Sequence, residues 1–231
     1  MLILGLQKTT LLDFPGKVAS TIFTGGCNFR CPYCHNSELI TPPADTLKYS
    51  EDEIFEHLIS KKRILDGVCI TGGEPTLHKD LPEFIKKIKD LGLSVKLDSN
   101  GTNPDMLNML IESKLVDYIA MDIKNSKAKY NEIACVKNFD ISPIEESVTL
   151  LLQNNIDYEF RTTIIKECHN SKDIEEIGIW LKGAKAYYLQ SYKESKQVLN
   201  PIFSPHSIDT LKDFVNLLKP YIANTNLRGV D

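Results

Sequence analysis

The sequence predicts an α/β protein whose core is an open, partial barrel of six parallel strand–helix units. Short apolar runs rich in β-branched residues alternate with amphipathic segments of helical period, and this alternation repeats six times along 231 residues. Six units are fewer than a complete barrel of this type contains, so we expect the sheet to remain open. Because no linker, repeat or low-complexity tract divides the chain, we expect a single domain over residues 1–231.

The strand predictions rest on short apolar runs that are rich in β-branched residues and bounded by turn residues. The predicted strands are Val18–Thr24, Gly67–Thr71, Leu93–Asp98, Val116–Asp122, Tyr158–Ile165 and Lys185–Gln190. Parallel strands joined by right-handed crossovers all end at one edge of the sheet. We therefore expect the functional residues at the carboxyl ends of these strands.

The segments between the strands carry apolar residues at helical spacing. In the segment 81–91, Leu81, Phe84 and Ile88 share one face, with lysines opposite, and comparable stripes run through 107–111 and 144–152. Helix starts are predicted where a capping residue precedes a proline or an acidic residue. These starts lie at Ser50–Glu53, Asn103–Pro104 and Ser142–Glu145.

Composition excludes several classes of partner. The net charge is −4 and no long basic run occurs, so neither nucleic acid nor an anionic membrane is an expected partner. The first residues lack the pattern of a signal peptide, and no stretch approaches the roughly 20 apolar residues that span a bilayer. We therefore expect a cytoplasmic protein, in which six cysteines indicate metal or redox chemistry in place of disulfides.

Three of the cysteines crowd into one loop. Cys27, Cys31 and Cys34 follow the first predicted strand in a C-x3-C-x2-C arrangement, FTGGCNFRCPYCHN. Three thiolates at this spacing can converge on a soft metal centre, and a four-iron cluster held by three cysteines has one iron free for another ligand. A structural zinc with His35 as fourth ligand is an alternative, although adjacent Cys34 and His35 could hardly reach one tetrahedral ion. A disulfide is a weaker alternative in a reducing compartment.

The three-cysteine loop, with the aromatic Tyr33 before its last cysteine, resembles the radical S-adenosylmethionine superfamily. A second match, the segment ITGGEPTL with Gly72, Gly73 and Glu74, follows the second strand. The resemblance implies a [4Fe-4S] cluster on the cysteines, S-adenosylmethionine as cofactor, and a GGE segment that binds the methionine amino group. Glycines would expose backbone groups to this ligand, and Glu74 offers a charge-assisted partner for an ammonium.

Further polar residues lie at the ends of later strands. The segments LDSNG and AMDIKN resemble those with which activating enzymes of glycyl-radical proteins hold the cofactor's carboxylate or ribose, or a cation. Two alternatives stay open, since Asp122 and Lys124 could form a simple ion pair and Arg161 could be a surface ion-pairing residue; Gln190 is a candidate of the same kind as Arg161. The complete set of expected cofactor-binding residues is Tyr33, Gly72, Gly73, Glu74, Asp98, Ser99, Asn100, Asp122, Lys124 and Arg161.

The opening segment GLQKTTLLDFPGKVAS and the near-terminal LRGV extend the resemblance across nearly the whole chain. On these segments the chain is similar to glycyl-radical-enzyme activating enzymes, in the group that acts on anaerobic ribonucleoside-triphosphate reductase. This resemblance implies reductive cleavage of S-adenosylmethionine, formation of a glycyl radical on that reductase, and an electron donor such as flavodoxin or ferredoxin. The motifs describe the cofactor and leave the target open, so pyruvate formate-lyase, another glycyl-radical enzyme or a small molecule are alternatives. A non-enzymatic iron–sulfur or zinc binding module is the alternative from a different class.

Overall fold

A computed structural model describes residues 1–153, 155–195, 198 and 202–230. Its centre is one eight-stranded sheet in which the strands follow sequence order. The strands are β1 (Ile3–Thr10), β2 (Ala19–Thr24), β3 (Gly67–Gly72), β4 (Ser94–Ser99), β5 (Tyr118–Asp122), β6 (Asp157–Ile164), β7 (Tyr187–Ser191) and β8 (Thr225–Arg228). Strands β2 to β8 are parallel, and β1 pairs with β2 in the antiparallel direction. Within the described residues β1 and β8 form the two edges, so the sheet is open.

Helices occupy the connections between the parallel strands. They are α1 (Ser37–Ile40), α2 (Glu51–Lys61), α3 (Leu81–Asp90), α4 (Pro104–Glu112), α5 (Tyr130–Ala134), α6 (Ser142–Leu152), α7 (Ser171–Trp180) and α8 (Ile208–Leu218). Short 3-10 turns lie at Pro75–Leu77 and Lys127–Lys129. In the described part of the chain, no helix combines the length and the apolar character that crossing a membrane requires.

The six predicted strands are confirmed as β2 to β7, each within two residues of its predicted bounds. The prediction missed β1 and β8. Strand β1 is a partly exposed edge strand whose side chains show no clean alternation of burial, and β8 is only 4 residues long. Both therefore lack the apolar period that identified the other strands.

All three predicted helix starts are confirmed, and so are two of the three predicted capping residues. Ser50 and Glu53 form a reciprocal capping box at α2, and the Asn103 side chain accepts a hydrogen bond from the Met106 backbone at α4. The helix start is confirmed at Ser142, but the predicted cap is wrong, because α6 includes this residue and Ile141 occupies the capping position. The Ser142 hydroxyl donates to Asp140 Oδ1 at 2.8 Å, which commits it to the preceding turn.

The sheet is strongly curved. In a flat sheet β2 and β7 would be separated by five strand spacings, about 24 Å. In the structure the loop after β2 reaches the segment after β7. The Nε2 atom of His35 in the first lies 2.6 Å from the backbone oxygen of Lys193 in the second. The sheet therefore curls around an interior, as the prediction of a partial barrel requires.

The two faces of the sheet differ in character. On β4, Val95 and Leu97 are fully buried within the apolar core beneath the helices, whereas Lys96 and Asp98 point to the opposite, concave face. Apolar residues of the helices, such as Phe84 and Ile88 of α3, complete the outer core. The concave face is polar, and its charges have to be compensated inside the protein.

One such pair of opposite charges connects β8 to β6. Glu159 on β6 is fully buried and forms a bidentate ion pair with Arg228 on β8, with Nη2 to Oε2 at 2.8 Å. The Tyr118 hydroxyl donates to the same carboxylate at 2.8 Å. The Arg228 guanidinium also stacks 3.5 Å from the centroid of Tyr188 on the intervening strand β7. This contact fixes a short edge strand that its own backbone bonds would hold weakly.

We expect Arg228→Met to lower the free energy of unfolding by about 3 kcal/mol, because it leaves the Glu159 carboxylate buried without its cation. Lys185→Met, which breaks the exposed Lys185–Asp157 pair, is the matched control and should cost less than about 1 kcal/mol. Urea unfolding of both variants measures the difference. Equal costs would show that the β6–β8 pair contributes no more than a surface pair.

Candidate functional site

A cavity of about 340 Å³ opens where the carboxyl ends of the parallel strands meet, and its volume suits a small organic ligand. Every site residue predicted from the sequence lines this cavity. They are Cys27, Tyr33, Cys31, Cys34, Gly72, Gly73, Glu74, Asp98, Ser99, Asn100, Asp122, Lys124 and Arg161. The fold thus brings together residues that are up to 134 positions apart, from 27 to 161.

The three cysteines of the loop after β2 are unpaired thiols facing the cavity. Burial raises the pKa of the Cys27 thiol to about 11 and that of Cys31 to about 12, and it raises the pKa of Cys34 as well. Such thiols stay protonated at neutral pH unless a cation binds them, and metal binding displaces their protons. The three thiols are therefore suited to bind a metal centre, because its positive charge stabilises the thiolates.

The arrangement of these thiols fits a cluster better than a single ion. Among the described residues, no three His, Cys, Asp or Glu side chains are grouped to hold one metal ion, as a zinc with bonds of about 2.3 Å to sulfur would need. His35, the alternative fourth ligand, instead directs Nε2 to the Lys193 carbonyl. In a four-iron cluster each cysteine binds a different iron, so the thiols need not converge on one point.

The cysteine loop and the GGE loop interlock. The backbone N–H of Gly73 donates to Thr24 O and that of Glu74 donates to Gly26 O, both at 2.8 Å. A Cβ atom at residue 73 would lie 1.9 Å from Gly26 O, directly before Cys27. We expected glycine here to admit a ligand, and the packing of two loops is a second, independent reason for it.

Glu74 is the centre of a buried hydrogen-bond network. Its Oε1 accepts from the Thr76 backbone at 3.1 Å, the Thr76 hydroxyl at 2.6 Å and the Ser99 hydroxyl at 2.9 Å, and its Oε2 accepts from the Asn100 backbone at 2.6 Å. Burial raises the pKa of Glu74, and these hydrogen bonds act in the opposite direction. No ion pair found among the described residues involves Glu74, so it can accept a cation from a ligand.

The network continues into the cysteine loop through Asn28, which the sequence analysis missed. Asn28 Nδ2 donates to the Thr102 hydroxyl and its Oδ1 accepts from Asn100 Nδ2, both at 2.8 Å. The Thr102 hydroxyl donates in turn to Asn100 Oδ1 at 2.7 Å. These amides fix the cysteine loop to the loop after β4. No local pattern reveals such a contact, because the partners are more than 70 positions apart.

A row of alternating charges crosses β4, β5 and β6 below the rim. Lys96 pairs with Asp98 Oδ1, whose Oδ2 accepts from Arg161 at 3.1 Å. Arg161 Nε donates to Asp122 Oδ1 at 2.9 Å, and Lys124 Nζ donates to Asp122 Oδ2 at 3.1 Å. Three cations and two anions leave one positive charge in excess. The sequence analysis did not identify Lys96, which is 2% exposed and lies inside a strand.

The two carboxylates of the row, Asp98 and Asp122, stay ionised. Burial would raise the pKa of Asp122, but Arg161 and Lys124 outweigh burial and hold it at about 2. The pKa of Asp98 is lowered in the same way by Arg161 and Lys96, against burial. The Asp122–Lys124 ion pair considered from the sequence therefore exists, and Arg161 is ion-paired inside the cavity instead of at the surface.

Tyr33 presents an unused hydrogen-bonding group. Its hydroxyl is buried and has no partner among the described residues, while its ring packs edge-on against Phe203 at 5.9 Å. Burial raises its pKa well above the ordinary value, so the group is a neutral donor. A buried donor without a partner at a cavity wall fits a bound ligand that accepts a hydrogen bond.

The other cysteines lie apart from the three-cysteine loop. Cys69 is fully buried on β3, as expected of a small apolar side chain, with Sγ 3.7 Å from Lys96 Nζ. Cys135 is exposed and Cys168 is partly buried. His169, next to Cys168, is buried and engages the Ile165 and Lys124 backbones through its two ring nitrogens. It has a structural role.

Comparison with known proteins agrees with this geometry. Residues 21–178 match the family model of the radical SAM superfamily. A protein of Methanocaldococcus jannaschii, provisionally named as a glycyl-radical enzyme activating enzyme, is 32% identical over 100% of this chain and 97% of its own length. The pyruvate formate-lyase-activating enzyme of Listeria monocytogenes is 32% identical over 49% of each chain.

A similar fold occurs in a solved structure of Streptococcus suis SuiB bound to S-adenosylmethionine. The two share 15% sequence identity and a TM-score of 0.69, over 89% of this chain and 48% of SuiB. At this identity the likeness concerns the fold alone. It agrees with the observed order of parallel strands.

We expect Gly73→Ala to prevent stable cluster loading, because the added methyl group displaces Gly26 and with it Cys27. Gly92→Ala is the control: its backbone has a φ of +80° but an added Cβ meets no atom within 4 Å. Iron and sulfide content after anaerobic reconstitution is the measurement. Full cluster content in Gly73→Ala would contradict the role assigned to this contact.

We expect the stabilisation by Asp122 to depend on pH. Its folded pKa of about 2 lies below the ordinary value of 3.8, so the stabilisation is complete above that value and is lost as the pH falls toward 2. The unfolding free energy of the wild type should exceed that of Asp122→Asn by roughly 2 kcal/mol at pH 7, with a smaller difference at about pH 3. Asp209→Asn, at a site 94% exposed, is the control. A difference that is independent of pH would refute the assignment.

Proposed function

The chain belongs to the radical SAM superfamily, and on that premise we propose that it activates a glycyl-radical enzyme, with anaerobic ribonucleoside-triphosphate reductase as the target. The observation that carries the proposal is the meeting of Cys27, Cys31 and Cys34 with Glu74 and the charged row at one cavity. Similarity over the full length to the M. jannaschii protein supports the activating function. The reductase is the target that the resemblance of the chain as a whole implies.

Enzymes of this superfamily use a [4Fe-4S] cluster and S-adenosylmethionine. In this chain Cys27, Cys31 and Cys34 would hold three irons of the cluster, since their buried thiols need a cation to ionise and each faces the cavity. Held there, the cluster would supply the electron for the reductive cleavage of S-adenosylmethionine into methionine and a carbon-centred radical, which is the chemistry needed to remove a hydrogen atom from a target glycine. The protein orients the groups and limits the access of water.

The residues around the cavity suit the charges of S-adenosylmethionine. Glu74, a buried carboxylate without a cationic partner in the described residues, would bind its ammonium directly or through the adjoining backbone of the GGE loop. The excess positive charge of the row, presented by Lys124 and Arg161, would bind its carboxylate. Asp98 already shares its oxygens between Lys96 and Arg161, so its part is to hold Arg161 in place.

Three further residues complete the proposed cofactor site. The Tyr33 hydroxyl has a free hydrogen bond to donate, and its ring offers a flat apolar surface. Ser99 and Asn100 place the Glu74 carboxylate through their hydroxyl and backbone N–H. An electron donor such as flavodoxin or ferredoxin would reduce the cluster, and a cytoplasmic location would suit this chemistry.

The second candidate target is pyruvate formate-lyase, because half of the chain is 32% identical to the Listeria activating enzyme of that name. It differs from the first only in the protein that is activated. A cluster carrier without enzymatic activity is a poorer candidate, since a carrier has no use for Glu74 and the charged row.

The test is anaerobic reconstitution with iron and sulfide, followed by reductant, S-adenosylmethionine and the ribonucleotide reductase of the same organism. We expect a glycyl radical on the reductase by electron paramagnetic resonance, with 5′-deoxyadenosine formed in parallel. Pyruvate formate-lyase is run as the alternative target. Cys31→Ala should lose the cluster and all turnover while keeping its circular dichroism spectrum.

Each result has a definite meaning. Deoxyadenosine with a radical only on pyruvate formate-lyase would transfer the assignment to that target. Deoxyadenosine without a radical on either protein would contradict the activating function. An intact cluster that produces no deoxyadenosine would refute the enzymatic function, and full cluster content in Cys31→Ala would refute the ligand assignment.

A further inference from the structure

Lys96 is the most deeply buried member of the charged row. It lies in the interior of β4, where its side chain shares the concave face with Asp98, and only 2% of its surface is exposed. Its neighbours on the adjoining strands are Cys69 of β3 and Tyr118 of β5. Lys96 Nζ donates to Asp98 Oδ1 and lies 3.7 Å from Cys69 Sγ. Burying a cation at this position costs free energy, which the contact with Asp98 offsets.

Lys96 has no direct access to a ligand in the cavity. The other members of the row, which are Asp98, Asp122, Lys124 and Arg161, line the cavity, whereas Lys96 is not among the described residues that do so. It is connected to the cavity through Asp98, whose Oδ2 accepts from Arg161 at 3.1 Å. An effect of Lys96 on a bound ligand is therefore indirect.

The charge of Lys96 sets the balance of the row. With Lys96, three cations face two anions, and one positive charge is in excess. Without it, Asp98 would pair with Arg161 and Asp122 with Lys124, so that the row would be neutral. Lys96 is thus the source of the excess, although Arg161 and Lys124 are the cations that the cavity exposes.

The excess is not taken up by the other buried carboxylate of the concave face. Glu159 on β6 is already matched by the bidentate contact of Arg228, and it accepts a further hydrogen bond from Tyr118 at 2.8 Å. Within the described residues the only carboxylate that pairs with Lys96 is Asp98. The positive charge therefore stays available at the cavity wall.

We propose that Lys96 is a positioning residue for the cofactor: by pairing with Asp98, it leaves Arg161 and Lys124 with the positive charge that binds the carboxylate of S-adenosylmethionine. The inference rests on the proposed function, in which these two cations receive that carboxylate. It assigns their affinity for the carboxylate to a residue that makes no contact with the cofactor. A row without Lys96 should still bind the rest of the cofactor and lose its preference for the carboxylate.

The test compares two ligands that differ by one carboxylate, S-adenosylmethionine and its decarboxylated analogue, which keeps the sulfonium, the adenosine and the amine. Dissociation constants are measured by anaerobic titration calorimetry on the full chain with its cluster reconstituted and oxidised, so that no cofactor is cleaved. The ratio of the two constants isolates the contribution of the carboxylate. Charges outside the row, such as those of Glu74 and Asp13, are common to every variant and cancel in this comparison.

The variants separate the charge of Lys96 from its hydrogen bond. Lys96→Gln removes the charge and keeps a donor near Asp98, while Lys96→Met removes both. Combining Lys96→Met with Asp98→Asn removes one charge of each sign, which restores one positive charge in excess and keeps an oxygen for Arg161. Lys212→Met, which removes a lysine charge at an exposed position on α8, is the matched control. Iron content and circular dichroism show whether each variant is folded and loaded.

We expect the preference for the carboxylate-bearing ligand to fall about tenfold in Lys96→Gln and in Lys96→Met, the order of magnitude for one charge acting within a protein. The affinity for the decarboxylated analogue should stay the same or rise, since this ligand carries positive charges only. The double variant should recover the preference of the wild type, and Lys212→Met should match it. If Lys96→Met does not fold, Lys96→Gln decides.

Three results would overturn the inference while leaving the proposed function intact. The first is an unchanged preference in Lys96→Gln and Lys96→Met. The second is an equal loss of affinity for both ligands, which would give Lys96 a structural role only. The third is a double variant as impaired as Lys96→Met. If the wild type itself does not distinguish the two ligands, the proposed carboxylate site fails, and the inference fails with it.

Discussion

The structure depends on compensating charges that a parallel sheet would ordinarily exclude from its interior. Lys96, Asp98, Arg161, Asp122 and Lys124 alternate in sign across three adjacent strands, and each charge is held by its neighbours. Burying any one alone would cost several kcal/mol. Together they form a continuous row of ion pairs with one positive charge in excess, which lets the concave face stay polar while the helix-covered face stays apolar.

Above this row the loops at the strand ends hold one another. Glu74 joins the loops after β3 and β4, and Asn28 joins the loop after β4 to the cysteine loop. The cysteine loop and the GGE loop touch directly, backbone to backbone, at Gly26 and Gly73. The residues proposed to hold the cluster and those proposed to hold the cofactor are thus parts of one hydrogen-bonded unit, although they come from separate regions of the sequence.

Local chemistry made much of this architecture predictable from the sequence. Strands β2 to β7 have apolar β-branched runs, and the spacing of the three cysteines is visible in the sequence itself. Residues at the strand ends lie close together because parallel strands end at the same edge of the sheet. What was missed depends on tertiary context. In the sequence Lys96 resembles a surface lysine, and only the structure shows that Asp98 lies on the same face of the strand. Strand β8 has no apolar period, and the ion pair between Arg228 and Glu159 holds it in place. Ser142 follows a good capping pattern, but Asp140 takes its hydroxyl. The partition into one domain and the ligand roles of the site residues remain predictions.

The burial of the cysteine loop has a consequence for the life of the protein before it receives iron. A thiol reacts with oxidants and electrophiles as its thiolate, and with the pKa of Cys27 near 11 and that of Cys31 near 12 almost none is present in a neutral cell. We therefore expect these thiols to react slowly with oxidants and alkylating reagents in the cluster-free chain. As the proposed ligands of the cluster, the sulfurs would become anionic only when the cluster binds.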